Sequence, residues 1–272
     1  MEYYEPYGDY EFDDSILDKF TPPEPPSKPQ EHLMDKIGGR VWGLPVEKYP
    51  YCPGCKTPYT FIAQFMHHPP RMPLGRKGRV IFVFDCLNQE TYCFAGSAKD
   101  TLDKTCFTLE PEELIDGLTP LPEPKNVLKA GLRIEGWRKK EDNLTFETYM
   151  RIPYGLDPYE ISLEDNEIDR ILYGEPGSPE LQDVEELNYT NQTRLRSAPY
   201  FLQRPPDWVI NYPKIGLGRW FFLGQLDALD DLFEMGFNTK FYKIWGGGIG
   251  YIFMRPPLDD NPPECKFFYQ CT

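Results

Sequence analysis

The chain has 272 residues, 40% of them hydrophobic and 15% aromatic, and a formal net charge of −14. That length buries a sizeable core in one large or two small domains. The acidic balance argues against nucleic acid or an anionic membrane as the target, since both are met by basic patches, and it fits a protein partner with a basic face.

No apolar run approaches the roughly 20 residues that span a bilayer. The start, Met1-Glu2-Tyr3-Tyr4-Glu5-Pro6, lacks the basic and apolar regions of a signal peptide. The expectation is a cytoplasmic protein, whose seven cysteines read as thiols or metal ligands before disulfides. The sequons at Asn143, Asn188 and Asn191 are then chance matches.

Residues 1–31 are acidic and tyrosine-rich, and break into a proline run from Pro22 to Pro29 that favours extended chain. Composition reads this stretch as an unfolded tail; its many aromatics read instead as an arm docked on the chain itself or on a partner. In Lys36-Ile37-Gly38-Gly39 the glycines mark a tight turn, and Trp42 then anchors the chain to the core.

Next come Cys52-Pro53-Gly54-Cys55 and the apolar run Tyr59 to Phe65, with Gln64 inside it. A Pro/Gly-rich loop leads to Gly78-Arg79-Val80-Ile81-Phe82-Val83-Phe84. The two runs are predicted to be buried strands. Glu90 to Phe94 extends the first sheet. Pro111-Glu112-Glu113-Leu114-Ile115 predicts a short helix, with proline in its first turn and acids at the positive end of its dipole.

After a linker at Pro120 to Pro124, Leu132 to Trp137 and Leu144 to Ile152 predict a hairpin with one buried and one wet face. Helices are predicted over Ser162 to Tyr173 and from Ser178-Pro179-Glu180 onward, each capped by its serine. A second unit opens at Pro199-Tyr200-Phe201-Leu202-Gln203. Its Phe222-Leu223-Gly224-Gln225-Leu226 aligns with Phe61-Ile62-Ala63-Gln64-Phe65, and Gly247 to Phe253 aligns with Gly78 to Phe84. A short helix, Ala228 to Met235, is expected between those runs. The separation of about 160 residues is too long for a solenoid, whose repeats run roughly 20–50 residues. The doubling implies a duplicated, pseudo-symmetric domain.

The doubled motifs resemble the bacterial YwqG family and the similar unit in programmed cell death protein 2 and its yeast ribosome-biogenesis relative. The first copy carries the resemblance in Lys36-Ile37-Gly38-Gly39, Cys52-Pro53-Gly54-Cys55, Phe61-Ile62-Ala63-Gln64 and the Gly78 to Phe84 run. The second carries it in Pro199 to Gln203, Phe222 to Asp227 and Trp245 to Phe253, so that it covers about residues 32–256. The resemblance implies a duplicated β-rich fold and a non-catalytic protein-binding role. The eukaryotic relatives act as chaperones for a ribosomal protein, and the bacterial ones look like accessory or immunity proteins. The acidic stretch before residue 32 departs from the eukaryotic members, so a ribosomal role is not carried over.

Gly246-Gly247-Gly248-Ile249-Gly250 is read as a turn or bulge rather than a phosphate loop, because it opens a strand and no Gly-Lys-Ser/Thr comes after it. Gln64 and Gln225 are read as buried amides bonded to backbone across the pseudo-symmetric centre, with a ligand-contacting pair as the alternative. His67 and His68 are read as exposed loop residues, and Asp230-Asp231 and Asp259-Asp260 as solvated charge. With three histidines and neither His-Glu-x-x-His nor Gly-x-Ser-x-Gly, no hydrolytic constellation is expected.

Cys52 and Cys55 have the spacing of half a zinc site. If the flanking strands pair antiparallel, Cys86 comes back beside them, and Cys93 on the next strand is the candidate fourth ligand. The alternative is a plain turn with thiols and buried core cysteines. Cys106, Cys265 and Cys271 are less well placed.

The expectation is an α+β fold, mainly antiparallel β, with few short helices. After the acidic arm of residues 1–31, two repeats of about 32–150 and 151–272 form one domain. It is expected to be a non-enzyme that binds a protein client, as a chaperone-like or antitoxin-like protein, with one structural zinc and no nucleotide. The alternative is an enzyme using the cleft between the halves.

Overall fold

The computed structural model describes residues 2–12, 30–87, 105–124, 128, 130–141, 193–196, 199, 220–227, 248–256 and 261–270. Ten strands lie in these residues: β1 (Glu2–Phe12), β2 (Lys36–Gly38), β3 (Thr60–Met66), β4 (Val80–Asp85), β5 (Cys106–Leu109), β6 (Ala130–Glu141), β7 (Arg194–Arg196), β8 (Phe221–Leu226), β9 (Ile249–Arg255) and β10 (Glu264–Gln270). They form one sheet in the order β10-β9-β8-β7-β1-β6-β2-β3-β4-β5. Every neighbouring pair is antiparallel. The edge strands β10 and β5 come side by side, so the sheet is nearly closed on itself.

The fold is thus mainly antiparallel β. Among the described residues the helical content is two single 3-10 turns, Val46–Lys48 and Pro111–Glu113. The second realises the proline-started helix expected there as a single turn, opened by a reciprocal cap between Glu110 and Glu113. The helices expected over 162–173, from 178 and over 228–235, the strand at 90–94 and the second hairpin arm at 144–152 lie outside the described residues. The hairpin's first arm is longer than predicted. It runs to Glu141 as β6 and pairs with β1 and β2.

Of the two readings of the N-terminal stretch, residues 2–12 follow the arm docked on the chain itself, and 13–29 lie outside the described residues. Residues 2–12 are not an unfolded tail but a strand between β6 and β7. Its acids explain why composition misleads. Glu2 pairs with Lys139 and Glu5 with Lys140, Arg138 lies over the Tyr7 ring and Arg194 over the Tyr3 ring. Charge that looks solvated in the sequence is matched across the sheet by a basic stretch more than a hundred residues later.

The strands β3 and β4 are mostly apolar and buried almost end to end because both their faces are covered. The larger apolar cluster takes residues from every strand from β2 to β10. The smaller one, including Phe61, Phe82 and Phe84, occupies the opposite face of β3 to β5 under the segment 41–59. A bulge between Phe61 and Ala63 lets both Ile62 and Ala63 join the larger cluster. A bulge at the same place in β8, between Phe222 and Gly224, interrupts its pairing with β9.

Candidate metal centre

The loop carrying Cys52 and Cys55 is fastened at its base. The Tyr59 amide donates to the Pro50 carbonyl at 3.0 Å, the Cys52 amide to Thr57 and the Lys56 amide to Cys52, both at 2.9 Å. Lys56 takes the left-handed conformation, φ 62°, that turns the chain back. Because β3 pairs antiparallel with β4, Thr60 lies opposite Asp85. The residue after Asp85 therefore returns to the loop before β3, and that residue is Cys86.

The three sulfur atoms lie within 4.8 Å of one another, and the Sγ atoms of Cys55 and Cys86 are 3.6 Å apart. Zinc–thiolate bonds of about 2.3 Å in a tetrahedron put sulfurs about 3.8 Å apart, so the set fits such an ion. The cluster lies at the edge of the smaller core. Cys52 is fully buried in it, Cys55 and Cys86 are half-buried, and Tyr49 and Phe61 meet the Phe84 ring edge-on.

The electrostatics favour thiolate. Burial raises the Cys55 thiol, but hydrogen bonds from the Thr57 hydroxyl and backbone, then from Cys86 and Cys52, outweigh it and bring the thiol down to about 6. The Thr57 Oγ1 is 3.0 Å from the Cys55 Sγ. Tyr59 responds in the opposite sense. Burial first, then the charges of Cys52, Cys86 and Asp85, push its hydroxyl well above the usual tyrosine range.

The structure therefore brings Cys52, Cys55 and Cys86 together, while Cys93 lies outside the described residues. No disulfide joins the five described cysteines. Cys106 and Cys265 are buried on the two meeting edge strands, and Cys265 raises the Cys106 thiol further above what burial alone does.

Gln64 is a buried amide bonded to backbone, but locally and not across a centre. Its Oε1 accepts from the Trp42 amide at 3.0 Å and its Nε2 donates to the Met34 carbonyl at 2.9 Å. Gln225 is buried at the matching place in β8. His68 is exposed as expected, whereas His67 is half-buried; burial, with Arg79 and His68 nearby, lowers its pKa. Gly248 lies buried just before β9, and the glycines before it, like Asp230-Asp231 and Asp259-Asp260, fall outside the described residues.

Two polar centres had no signal in the motifs. The Asp35 carboxylate accepts from the Met66 amide at 2.7 Å and from Arg71 and the Trp137 indole at 2.9 Å each. Arg79 donates to Glu110 and to the Leu74 carbonyl. Both sets of bonds join separate segments, a role that only tertiary contact reveals.

Among the described residues no helix is long and apolar enough to cross a membrane. Comparison of the chain with family models, with curated proteins and with solved structures finds no match.

Proposed function

We propose that this chain is a cytoplasmic, non-catalytic protein-binding protein, chaperone-like or antitoxin-like, built on a duplicated unit and holding one structural zinc ion. The observation that carries the reading is the thiol cluster. Cys52, Cys55 and Cys86 sit at zinc-like spacing beside a loop whose exposed side suits a partner. Cys93 supplies the fourth ligand in this reading. Zinc here acts on folding, tying a loop to a strand end, and performs no reaction.

Among the described residues, three of the five exposed large apolar side chains, Val46, Tyr51 and Ile115, belong to the segments around this loop. Those segments are tied together by the Gly43 amide on Gly117, the Ile115 amide on Gly43, and Lys48 on Glu113 at 2.5 Å. Glu47 and Asp116 are exposed among them. Apolar anchors with acidic neighbours on a strongly acidic chain suit a basic protein partner.

The duplication rests on register as well as on sequence. Lys36 pairs with Gln64 as Arg194 pairs with Gln225, and the two bulges fall at aligned residues. Asp35 accepts from the Met66 amide as Thr193 accepts from the Asp227 amide. Phe107 stacks on Phe82 and Phe84, and Phe268 stacks on Tyr251 and Phe253. In this reading β1 to β5 form one unit and β6 to β10 the other, which moves residues 2–12 into the first unit and β6 into the second, away from the division expected at about residue 150. The sheet order then places β1 against β7 and β6 against β2, each first strand lying in the other unit. The resemblance to the YwqG family accords with such a duplicated β fold.

Capture with the full-length chain from its native host, at low and at high salt, tests the function. A basic protein retained at low salt, released at high salt, and lost with Val46→Glu or Ile115→Glu is the expected result. A small-molecule turnover, or a partner indifferent to both salt and these substitutions, overturns it.

A further inference from the structure

The described residues hold two close thiol pairs, and they differ in one decisive respect. Cys106 and Cys265 are buried. Cys55 and Cys86 are half-buried at the edge of a core, with their sulfurs 3.6 Å apart. The third thiol of the cluster, Cys52, is fully buried behind them. An oxidant arriving from solvent therefore meets Cys55 and Cys86 first.

The geometry suits a bond between these two. A disulfide has a sulfur–sulfur length of about 2.05 Å. The two side chains that must turn to close the remaining gap lie one on a loop and one just past the end of β4, both at the edge of the smaller core rather than inside it. Cys52 is anchored differently, because its amide and carbonyl are both held in the loop's own hydrogen bonds and its side chain packs in the core.

We propose that Cys55 and Cys86 form a redox pair: a peroxide-class oxidant joins them as a disulfide while Cys52 remains a thiol. The loss of metal that accompanies this rests on the zinc reading; the choice of pair does not. The Cys55 sulfur attacks one peroxide oxygen and the O–O bond breaks, leaving a sulfenic acid on Cys55 and one water. The Cys86 sulfur then attacks the Cys55 sulfur, and hydroxide leaves and takes a proton as the second water. Two thiols lose two electrons and two protons, and hydrogen peroxide is reduced to two waters. A zinc ion deprived of two of its thiolates no longer has a closed set of ligands.

The test uses the full-length chain as purified, and again after chelation, titrated with hydrogen peroxide. Zinc release is measured with a chromogenic chelator. Disulfides are mapped by non-reducing proteolysis after alkylation of the remaining thiols. Cleavage after Lys48, Lys56 and Arg79 puts Cys52 and Cys55 on one peptide and Cys86 on another. The expected product links these two peptides through Cys55, with Cys52 alkylated. Cys55→Ser and Cys86→Ser each abolish the link, and Cys93→Ser keeps it.

A Cys52–Cys55 bond, a Cys106–Cys265 bond formed at the same or lower peroxide, or no bond at all overturns the proposal. A chain that carries no zinc yet forms the Cys55–Cys86 bond removes the metal reading and leaves the redox pair standing. A zinc-loaded chain that oxidises elsewhere does the reverse.

Discussion

The ammonium of Lys36 lies 2.6 Å from the carboxylate of Glu11, with the lysine side chain 1% exposed and the glutamate 23%. The contact reaches from β2 over β6 to β1, three strands that are neighbours in the sheet though not in the chain. Gln30 accepts a second bond from the same ammonium at 3.1 Å. Breaking a buried pair by removing one partner costs about 3–5 kcal/mol. Water reaches Glu11, so Glu11→Gln is expected to cost less, about 2 kcal/mol. Urea unfolding of the variant beside the wild type measures it, and an unchanged midpoint refutes it.

The same lysine sets a pH dependence. Burial lowers its pKa below 10.5, Glu11 opposes that, and Arg133 and Arg40 add to the lowering. A lysine with a lowered folded value binds fewer protons folded than unfolded between that value and 10.5. Its contribution is therefore present above 10.5 and lost as pH falls through the lowered value. Wild type should gain stability on Lys36→Met as pH rises through that window. Parallel unfolding midpoints for the two proteins would count against it.

Gln64 gives the sharpest substitution inside the sheet. Gln64→Leu leaves the Trp42 amide and the Met34 carbonyl without the side chain they bond. An unsatisfied buried group costs about 1–3 kcal/mol, so a loss of about 2–4 kcal/mol is expected. Denaturant unfolding reads it directly, and a loss below about 0.5 kcal/mol would contradict the bond assignment.

How far these positions were legible in the sequence differs in kind. Buried strands β3, β4, β8 and β9 announced themselves as β-branched and aromatic runs, and the aligned glutamines fell in matching register. The pairing of β3 with β4 was enough to bring Cys86 to Cys52 and Cys55. Short strands were not legible. Lys36-Ile37-Gly38-Gly39 reads as a turn from its glycines, and Gly38 does take φ 67°, yet Lys36 and Ile37 pair on both sides and Gly38 pairs with β6. In β10 the buried Cys265 and Phe267 alternate with neighbours that are less buried, a period of two that was present but short. For β1 the opposite happened. Its acids carried a strong compositional signal, and it was overruled by partners in β6 that no local window contains.

Gly38 itself supports a prediction. A Cβ there would sit 2.6 Å from the Ala130 carbonyl oxygen, in addition to the strain of the left-handed conformation. Gly38→Ala is expected to destabilise by about 2–4 kcal/mol, since overpacking alone costs about 1–3. A thermal midpoint within a degree of wild type would rule this out.

For the thiol cluster, the expectation is close to one zinc per purified chain, lost in Cys55→Ser, with chelation lowering the unfolding midpoint. Less than about half an equivalent in the wild type, with no further loss in the variant, removes the site. In the chelated protein, alkylation of Cys55 should rise with pH around a midpoint of about 6, read by mass spectrometry of the Cys55 peptide. A midpoint near 9 would show that the Thr57, Cys86 and Cys52 bonds do not hold the thiolate.

The position of β1 also bears on how the chain comes off the ribosome. Glu2 pairs with Glu141, Phe12 with Ala130 and Tyr3 with Arg196. Made before both of its sheet neighbours, β1 has neither of them until more than a hundred further residues exist, and the second arrives later still. Through that interval it is an unpaired edge, the feature that invites aggregation. Its glutamates, Asp9 and Pro6 keep a waiting strand soluble and hard to pair wrongly, and the lysines and arginines of β6 end the wait. The acidity of this strand is then a property of the nascent chain as much as of the finished one.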